Sequence, residues 1–148
     1  MLVSVLSLKL LSTCHVSRLI RRATGDDGLY HWKLFLAEPG SVTAGTWHDV
    51  VWSDDKGVGM EHRGPKQYSE AKSKGLIGVW EIGLVDKDKA DLVDETCANT
   101  KTPKYDIEDK DKNCQTWIYD VVGGLVKQRV LGSDANDKLN LVPKKGDD

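Results

Sequence analysis

Two segments in the first half of the chain have the dense apolar pattern of buried strands. Residues 30–36 and residues 46–52 are rich in aromatic and large aliphatic side chains, which suit the pleated surface of a sheet. A Glu-Pro-Gly run at residues 38–40 ends the first segment, so the connection centres near Ser41. The two segments are therefore predicted to form an antiparallel hairpin.

Further strand patterns flank this hairpin. Residues 16–23 and 76–85 are predicted strands, and residues 59–63 are an additional candidate. Within residues 76–85 the side chains alternate between two faces, with Trp80 and Ile82 together on one of them. Successive strands with short links predict a meandering antiparallel sheet.

The second half of the chain has helical periodicity. One stretch repeats apolar side chains along a single helix face, at Cys114, Trp117, Ile118, Val121, Val122 and Leu125. Asn113 or Asp111 can supply its N-cap. The glycine pair at 123–124 costs about 1 kcal/mol per residue relative to alanine, which is tolerable if it lets the helix lie close to the sheet. Residues 132–134 are predicted to end this helix.

These patterns predict one α+β domain, because 148 residues are enough for a single core. An antiparallel sheet of four to five strands packs against two to three helices, one of them a short helix capped by Asp86 or Asp88. The domain is predicted to span residues 16–142. An extension, residues 1–15, precedes it, and a flexible tail, residues 143–148, follows.

The net charge of the protein limits the classes of partner that it is expected to bind. The formal net charge is −2 with acids and bases interspersed, so nothing attracts nucleic acid or an anionic membrane surface. Residues 1–11 are apolar but interrupted by Lys9, and they are too short to span a bilayer, which takes about 20 residues. The predicted partner is a small-molecule or peptide substrate. The sequence carries no signal that sets an oligomeric state.

The cysteines bear on compartment and metal binding. Cys14, Cys97 and Cys114 are odd in number and far apart, without the paired spacing of a zinc site. Free thiols favour a reducing compartment, which indicates the cytoplasm. The apolar start of the chain keeps a secretory signal peptide open as the alternative.

Cys114 is the candidate nucleophile. A cysteine attacks as its thiolate, which is favoured by the open amides of a helix N-terminus and by a nearby imidazolium. Cys114 lies in the first turn of its helix, and His31 at the start of the best strand is the first choice of histidine. The alternative is structural: Cys114 as a core residue and His31 as a strand-end histidine with an ordinary hydrogen bond.

Two segments resemble a known group of proteins. The strand Tyr-His-Trp-Lys-Leu-Phe-Leu at 30–36 and the helix start Asn-Cys-Gln-Thr-Trp-Ile at 113–118 are similar to the circularly permuted papain-like cysteine domains. These include lecithin:retinol acyltransferase-like, PPPDE-type and NlpC-type families, in which histidine precedes cysteine. The layout also resembles a family of small uncharacterised fungal proteins with a His-Trp strand and an Asn-Cys-Gln-x-Trp helix.

The resemblance implies a papain-like fold and acyl transfer through a thioester, to water or to another acceptor, without a metal or organic cofactor. Cys114 would be the nucleophile and His31 its general base. A third polar residue orients the base in such families. His48 is the candidate because it is the only histidine on the following strand, although a turn at Ser41 would set residues 51–52 opposite His31.

The surroundings of the nucleophile follow from the same resemblance. The backbone amides of Cys114 and Gln115 would form an oxyanion hole at the helix start. Trp32, Trp47 and Trp52 would line the substrate pocket, or serve ordinary sheet packing. Two alternatives to an enzyme remain: a non-catalytic relative that binds a small molecule or protein, and an accessory protein of a biosynthetic pathway.

Overall fold

The computed structural model of the protein describes residues 5–13, 29–54, 59–68, 75–104, 107–109 and 111–145. Five strands come first and three α-helices follow. The strands are β1 (Val5–Thr13), β2 (His31–Ala37), β3 (Thr46–Trp52), β4 (Met60–Gln67) and β5 (Leu76–Asp86). A 3-10 turn (Lys87–Lys89) leads into α1 (Ala90–Asn99), α2 (Cys114–Lys127) and α3 (Ala135–Asn140). The α+β fold class is confirmed.

The strands form one antiparallel sheet in the order β4-β3-β2-β1-β5. The β2–β3 hairpin is confirmed, and its register pairs Leu34 with His48 and Leu36 with Thr46, as a turn near Ser41 requires. The sheet is not a simple meander, however. β5 pairs with β1 at the edge opposite β4, so the chain crosses the sheet between the last two strands.

The N-terminal segment is a strand and not an extension, which corrects the prediction for residues 5–13. β1 lies between β2 and β5, and its side chains alternate. Leu8 and Leu10 enter the core with exposures of 0%, while Lys9 points to the other face and donates a hydrogen bond to the Ser41 carbonyl. The predicted strand at residues 16–23 lies outside the described residues.

The two faces of the sheet differ. The helix face carries Trp32 and Leu34, which pack with Trp117 and Ile118 of α2 in the main core. The outer face carries a small second cluster built on Leu11, Phe35 and Ala37. Because successive strand residues point to opposite faces, His31 shares the outer face with Phe35.

Two helix predictions need correction. Asp86 and Asp88 do not cap α1, which begins after Lys89 with no side-chain cap. α2 ends at Lys127, before the predicted stop at residues 132–134, because the amides of Val130 and Leu131 turn back to the Leu125 carbonyl. The third helix, α3, falls within the predicted count of two to three, but no segment was predicted for it. In the described ranges, no helix combines the length and apolar character needed to cross a membrane.

The glycine pair of α2 serves helix packing more than sheet packing. A Cβ on Gly124 would come 3.3 Å from the Thr96 methyl of α1, whereas one on Gly123 would meet nothing within 4 Å. Gly124 therefore lets α2 approach α1, and the predicted reason for these glycines, contact with the sheet, is wrong.

Candidate active site

Asn113 fixes where α2 begins. Its backbone is extended, and its Oδ1 accepts hydrogen bonds from the amides of Gln115 at 2.8 Å and Thr116 at 3.2 Å. The Thr116 hydroxyl accepts in return from the Asn113 amide at 2.8 Å, which completes a capping box. The predicted N-cap is confirmed, and Cys114 is the first residue of the helix.

Cys114 lies at the margin of the core, beside the start of β2. The residue is 7% exposed, and its sulfur is 3.9 Å from the Tyr30 carbonyl oxygen. The Asn113 side chain accepts hydrogen bonds from the backbone amides of Gln115 and Thr116. The amide of Cys114, also in the first turn, is not bound by this cap. The sulfur lies at the end of the sheet where β2 begins.

His31 contacts both Cys114 and a carboxylate. Its Nε2 lies 2.7 Å from Asp49 Oδ2 on β3. Burial alone would lower the pKa of His31, but hydrogen bonds with Asp49 and with Cys114 outweigh it and raise that pKa from 6.5 to about 9. His31 is therefore an imidazolium at neutral pH, held between the sulfur and the carboxylate.

Asp49 is fully buried and accepts hydrogen bonds from two residues, His31 and Arg63. Arg63 of β4 donates to it through Nε at 2.8 Å and Nη2 at 2.6 Å, a bidentate pair. Burial would raise the pKa of Asp49, yet the hydrogen bonds from His31 and Arg63 lower it to about 2. The carboxylate stays ionised and fixes the ring of His31.

The prediction that His48 orients His31 is wrong. His48 pairs with Leu34 in the register and so lies on the helix face, where its Nδ1 is 2.9 Å from His62 Nε2 and its Nε2 is 2.6 Å from Asp94 Oδ1. Asp49, one residue further on, lies on the face of His31. The hairpin register could have identified Asp49. A turn near Ser41 sets His31 opposite Val51, and Asp49 lies two residues before Val51, so its side chain is on the same face of the sheet.

Gln115 does not complete an oxyanion hole as predicted. Its backbone amide is bound by the Asn113 cap. Its side-chain Nε2 donates to the Tyr30 carbonyl at 3.0 Å and to the Lys144 carbonyl at 2.7 Å. Gln115 therefore holds the strand start against the C-terminal segment. The predicted flexible tail is also wrong at Lys144, since the Tyr30 amide donates to its carbonyl at 3.0 Å.

The three tryptophans do not line one pocket. Trp32 is fully buried on the helix face, with its ring centre 6.0 Å from that of Tyr119, and Trp52 packs at the border of the same core. Trp47 lies on the outer face, where Lys33 Nζ is 4.0 Å from the centre of its ring. Sheet packing is thus the role that the contacts of Trp32 and Trp52 support.

The molecule is an α+β domain in which a helix-start cysteine, a histidine and an aspartate form one continuous contact chain. The chain belongs to the DUF6540 family, a family of unknown function whose model matches residues 18–132. The matched residues include Cys114, His31 and Asp49. Neither a curated protein nor a solved structure matches the chain.

Proposed function

We propose that this domain is a cysteine-dependent hydrolase or acyltransferase that acts through a thioester on a small-molecule or peptide amide or ester. One observation carries the proposal. The Cys114 sulfur, the His31 ring and the Asp49 carboxylate are linked by hydrogen bonds at the first turn of a helix. Three side chains linked in this way provide a nucleophile, a proton carrier and a group that orients the carrier.

The first half-reaction forms the acyl-enzyme. The Cys114 thiolate attacks the substrate carbonyl carbon, a C–S bond forms, and the carbonyl electron pair moves to oxygen. The Cys114 amide donates a hydrogen bond to that oxygen. As the oxygen's electron pair returns, the C–N or C–O bond breaks, and the imidazolium of His31 gives its proton to the leaving amine or alcohol.

The second half-reaction releases the acyl group. Neutral His31 accepts a proton from water or from an acceptor alcohol or amine, whose heteroatom attacks the thioester carbon. The C–S bond then breaks, and the electron pair returns to sulfur as thiolate beside the restored imidazolium. Asp49 keeps its charge throughout and stabilises the ring each time it becomes protonated. Thiol chemistry of this kind fits a reducing compartment such as the cytoplasm.

The order of the residues supports a relationship to permuted papain-like domains. His31 precedes Cys114 along the chain, and the strands come before the helix that carries the nucleophile. The third residue is an aspartate on the strand next to that of the histidine. We therefore extend the proposal to the fold: a permuted papain-like arrangement with Asp49 in the orienting position.

Alkylation by iodoacetamide tests the proposal without a known substrate. An ordinary thiol, with a pKa near 8.5, reacts roughly 80-fold more slowly at pH 6 than at pH 8. We expect alkylation of Cys114, followed by peptide mass spectrometry, to slow by less than about five-fold over that interval. Cys97 is the internal control, because burial, with Asp94 second, raises its pKa above the usual range. An 80-fold fall at Cys114 would remove the basis for the enzyme.

A second candidate function is binding without turnover. The observation in its favour is the 7% exposure of Cys114, whose side chain also belongs to the main core. A series of p-nitrophenyl esters separates the two functions. An enzyme gives a burst of nitrophenol and an acyl adduct on Cys114. A binding protein gives neither, even when its Cys114 reacts readily with iodoacetamide.

A further inference from the structure

Three cationic side chains converge on one tryptophan of the outer face. Lys33 Nζ, Arg63 Cζ and Lys66 Nζ lie 4.0, 5.3 and 5.8 Å from the centre of the Trp47 ring. They come from β2 and β4, which flank the β3 strand of Trp47, and Trp47 pairs directly with Phe35 and Lys66 in the sheet. We call Lys33, Arg63, Lys66 and Trp47 the cationic cluster. The ring attracts each cation through its face and so holds the three heads close together.

The cationic cluster has more positive charge than its neighbourhood neutralises. Asp49 is the acid that acts on Lys33 among the described residues, and its two oxygens are already bonded to His31 and Arg63. Burial first, and then the charges of Arg63 and Lys66, lower the pKa of Lys33. Repulsion between these cations is thus present in the folded chain, although the formal net charge of the protein is −2.

Ordinary solvated lysines relieve repulsion by spreading apart, since they gain little from any fixed geometry. Here the heads converge, and Lys33 is half-buried with its head over a ring. A carboxylate or phosphate between the heads would neutralise the repulsion and accept charge-assisted hydrogen bonds. Because Trp47 already restrains the cations, little additional ordering is needed on binding.

We propose that the cationic cluster is a subsite for an anionic group, a carboxylate or phosphate, on the acyl substrate. This inference rests on the proposed function. Position supports it: His31 and Lys33 share the outer face and are one strand repeat apart, about 6.6 Å along β2. A substrate whose anion lies at Lys33 and Lys66 can thus extend past His31 toward Cys114 with a short spacer.

Binding is tested in the Cys114→Ala protein, so that turnover plays no part. The probes are glutarate and inorganic phosphate, with glutaramide as the neutral counterpart of glutarate, at fixed low ionic strength. The readout is the NMR signal of the Trp47 indole N–H, assigned by Trp47→Phe. We expect a saturable shift with the anions and none with glutaramide. A shift that does not saturate, or one equal for glutaramide, overturns the proposal. Saturation by one anion alone identifies which of the two groups the subsite takes.

Charge-removing variants locate the subsite. Lys33→Met and Lys66→Met should each weaken anion binding by at least about five-fold, as the loss of one charge-assisted contact does. Lys127→Met at the exposed end of α2 is the matched control and should leave binding unchanged. Lys66 is exposed, so its substitution keeps the fold even if that of Lys33 does not. Equal affinity in Lys66→Met and Lys127→Met contradicts the proposal.

A labelling experiment tests whether the subsite serves the thiol. The wild-type protein is treated with the N-iodoacetyl derivative of 4-aminobutyrate and with the corresponding neutral amide. We expect Cys114 to react faster with the acid, and Lys66→Met to lower the ratio of the two rates by about five-fold while Lys127→Met does not. Anion binding with an unchanged ratio would place the subsite out of reach of Cys114 and refute its role. A failure of both reagents at Cys114 would count against the proposed function and leave the binding result intact.

Discussion

Two histidine–aspartate pairs occupy opposite faces of the same sheet, and within the described residues only the pair of His31 and Asp49 is hydrogen-bonded to a thiol. On the outer face His31 lies 2.7 Å from Asp49, and on the helix face His48 lies 2.6 Å from Asp94. The distances are nearly equal. The surroundings differ, because His31 also contacts a sulfur at a helix start, whereas His48 contacts a second imidazole, that of His62.

The comparison shows that a short histidine–carboxylate contact is not sufficient for a site of this kind. The thiol near the second pair is Cys97, and burial together with Asp94 raises its pKa, so it is kept protonated. The thiol of the first pair lies at the start of a helix that Asn113 caps. The position of the thiol and its electrostatic surroundings therefore distinguish the two pairs.

Removing each carboxylate gives the largest expected contrast. Asp49→Asn should lower the free energy of unfolding by about 4 kcal/mol, because it leaves Arg63 and His31 without their buried counter-charge. Asp94→Asn should lower it by less than about 1 kcal/mol, since the Asp94 side chain is 42% exposed. Urea denaturation at pH 7 measures both. Similar losses would mean that the two pairs are equivalent in stability.

The pH dependence of stability should come from the outer pair. The pKa of His31 is raised to about 9 in the folded protein, so its stabilising contribution is complete below pH 6.5 and disappears as pH rises through 9. In Cys114→Ala, where no thiol titrates beside the ring, we expect the free energy of unfolding to fall by up to about 3 kcal/mol across that interval. The decline should vanish in His31→Gln and persist in His48→Gln. A decline that survives in His31→Gln assigns it to another group.

Thiol reactivity should distinguish the two histidines directly. His31→Gln removes the imidazolium beside the sulfur, and alkylation of Cys114 at pH 6 should slow by about a hundred-fold. His48→Gln is the matched control and should change that rate by less than about two-fold, because the contacts of its ring are with His62 and Asp94 and not with the sulfur. Circular dichroism verifies that both variants are folded. An equal effect of the two substitutions would contradict the assignment of His31.

The helix cap should have the smallest of these effects. Asn113→Ala removes the acceptor for two first-turn amides and should cost about 1 kcal/mol of stability, whereas Asn113→Asp should preserve the cap. This kind of cap distinguishes α2, which carries Cys114, from α1, which begins without a side-chain cap. Thermal unfolding of the three proteins checks this expectation. An unaffected Asn113→Ala would show that packing alone fixes the start of α2.

Much of the site follows from sequence because it depends on local signals. An Asn-Cys pair before an apolar helix stripe predicts Cys114 at a helix start, and the turn near Ser41 predicts the hairpin register. Asp49 was missed because the search for a third residue followed residue type, histidine, when strand parity favours positions 49 and 51. That parity follows from the hairpin register alone, so Asp49 was within reach of the sequence.

The fold was harder to predict from the sequence where the paired strands are far apart along the chain. β1 reads as a short apolar run because its partner β5 lies about half the chain away, and no turn signal joins them. α3 spans six residues and has no side-chain cap, so it has neither the length nor the start signal of a predictable helix. Arg63 was inaccessible for the same reason as β1, since its importance depends on its cross-strand contact with Asp49.

The Gln115 side chain connects the carboxy-terminal segment to the start of β2, which carries His31. Its one amide nitrogen joins the residue before His31 to Lys144, so a peptide that looks dispensable fastens the strand end on which the imidazole sits. A purification tag attached there, or the deletion of residues 143–148, would weaken these hydrogen bonds and let the His31 ring move away from the Cys114 sulfur. Recombinant protein intended for assays should therefore carry its tag elsewhere.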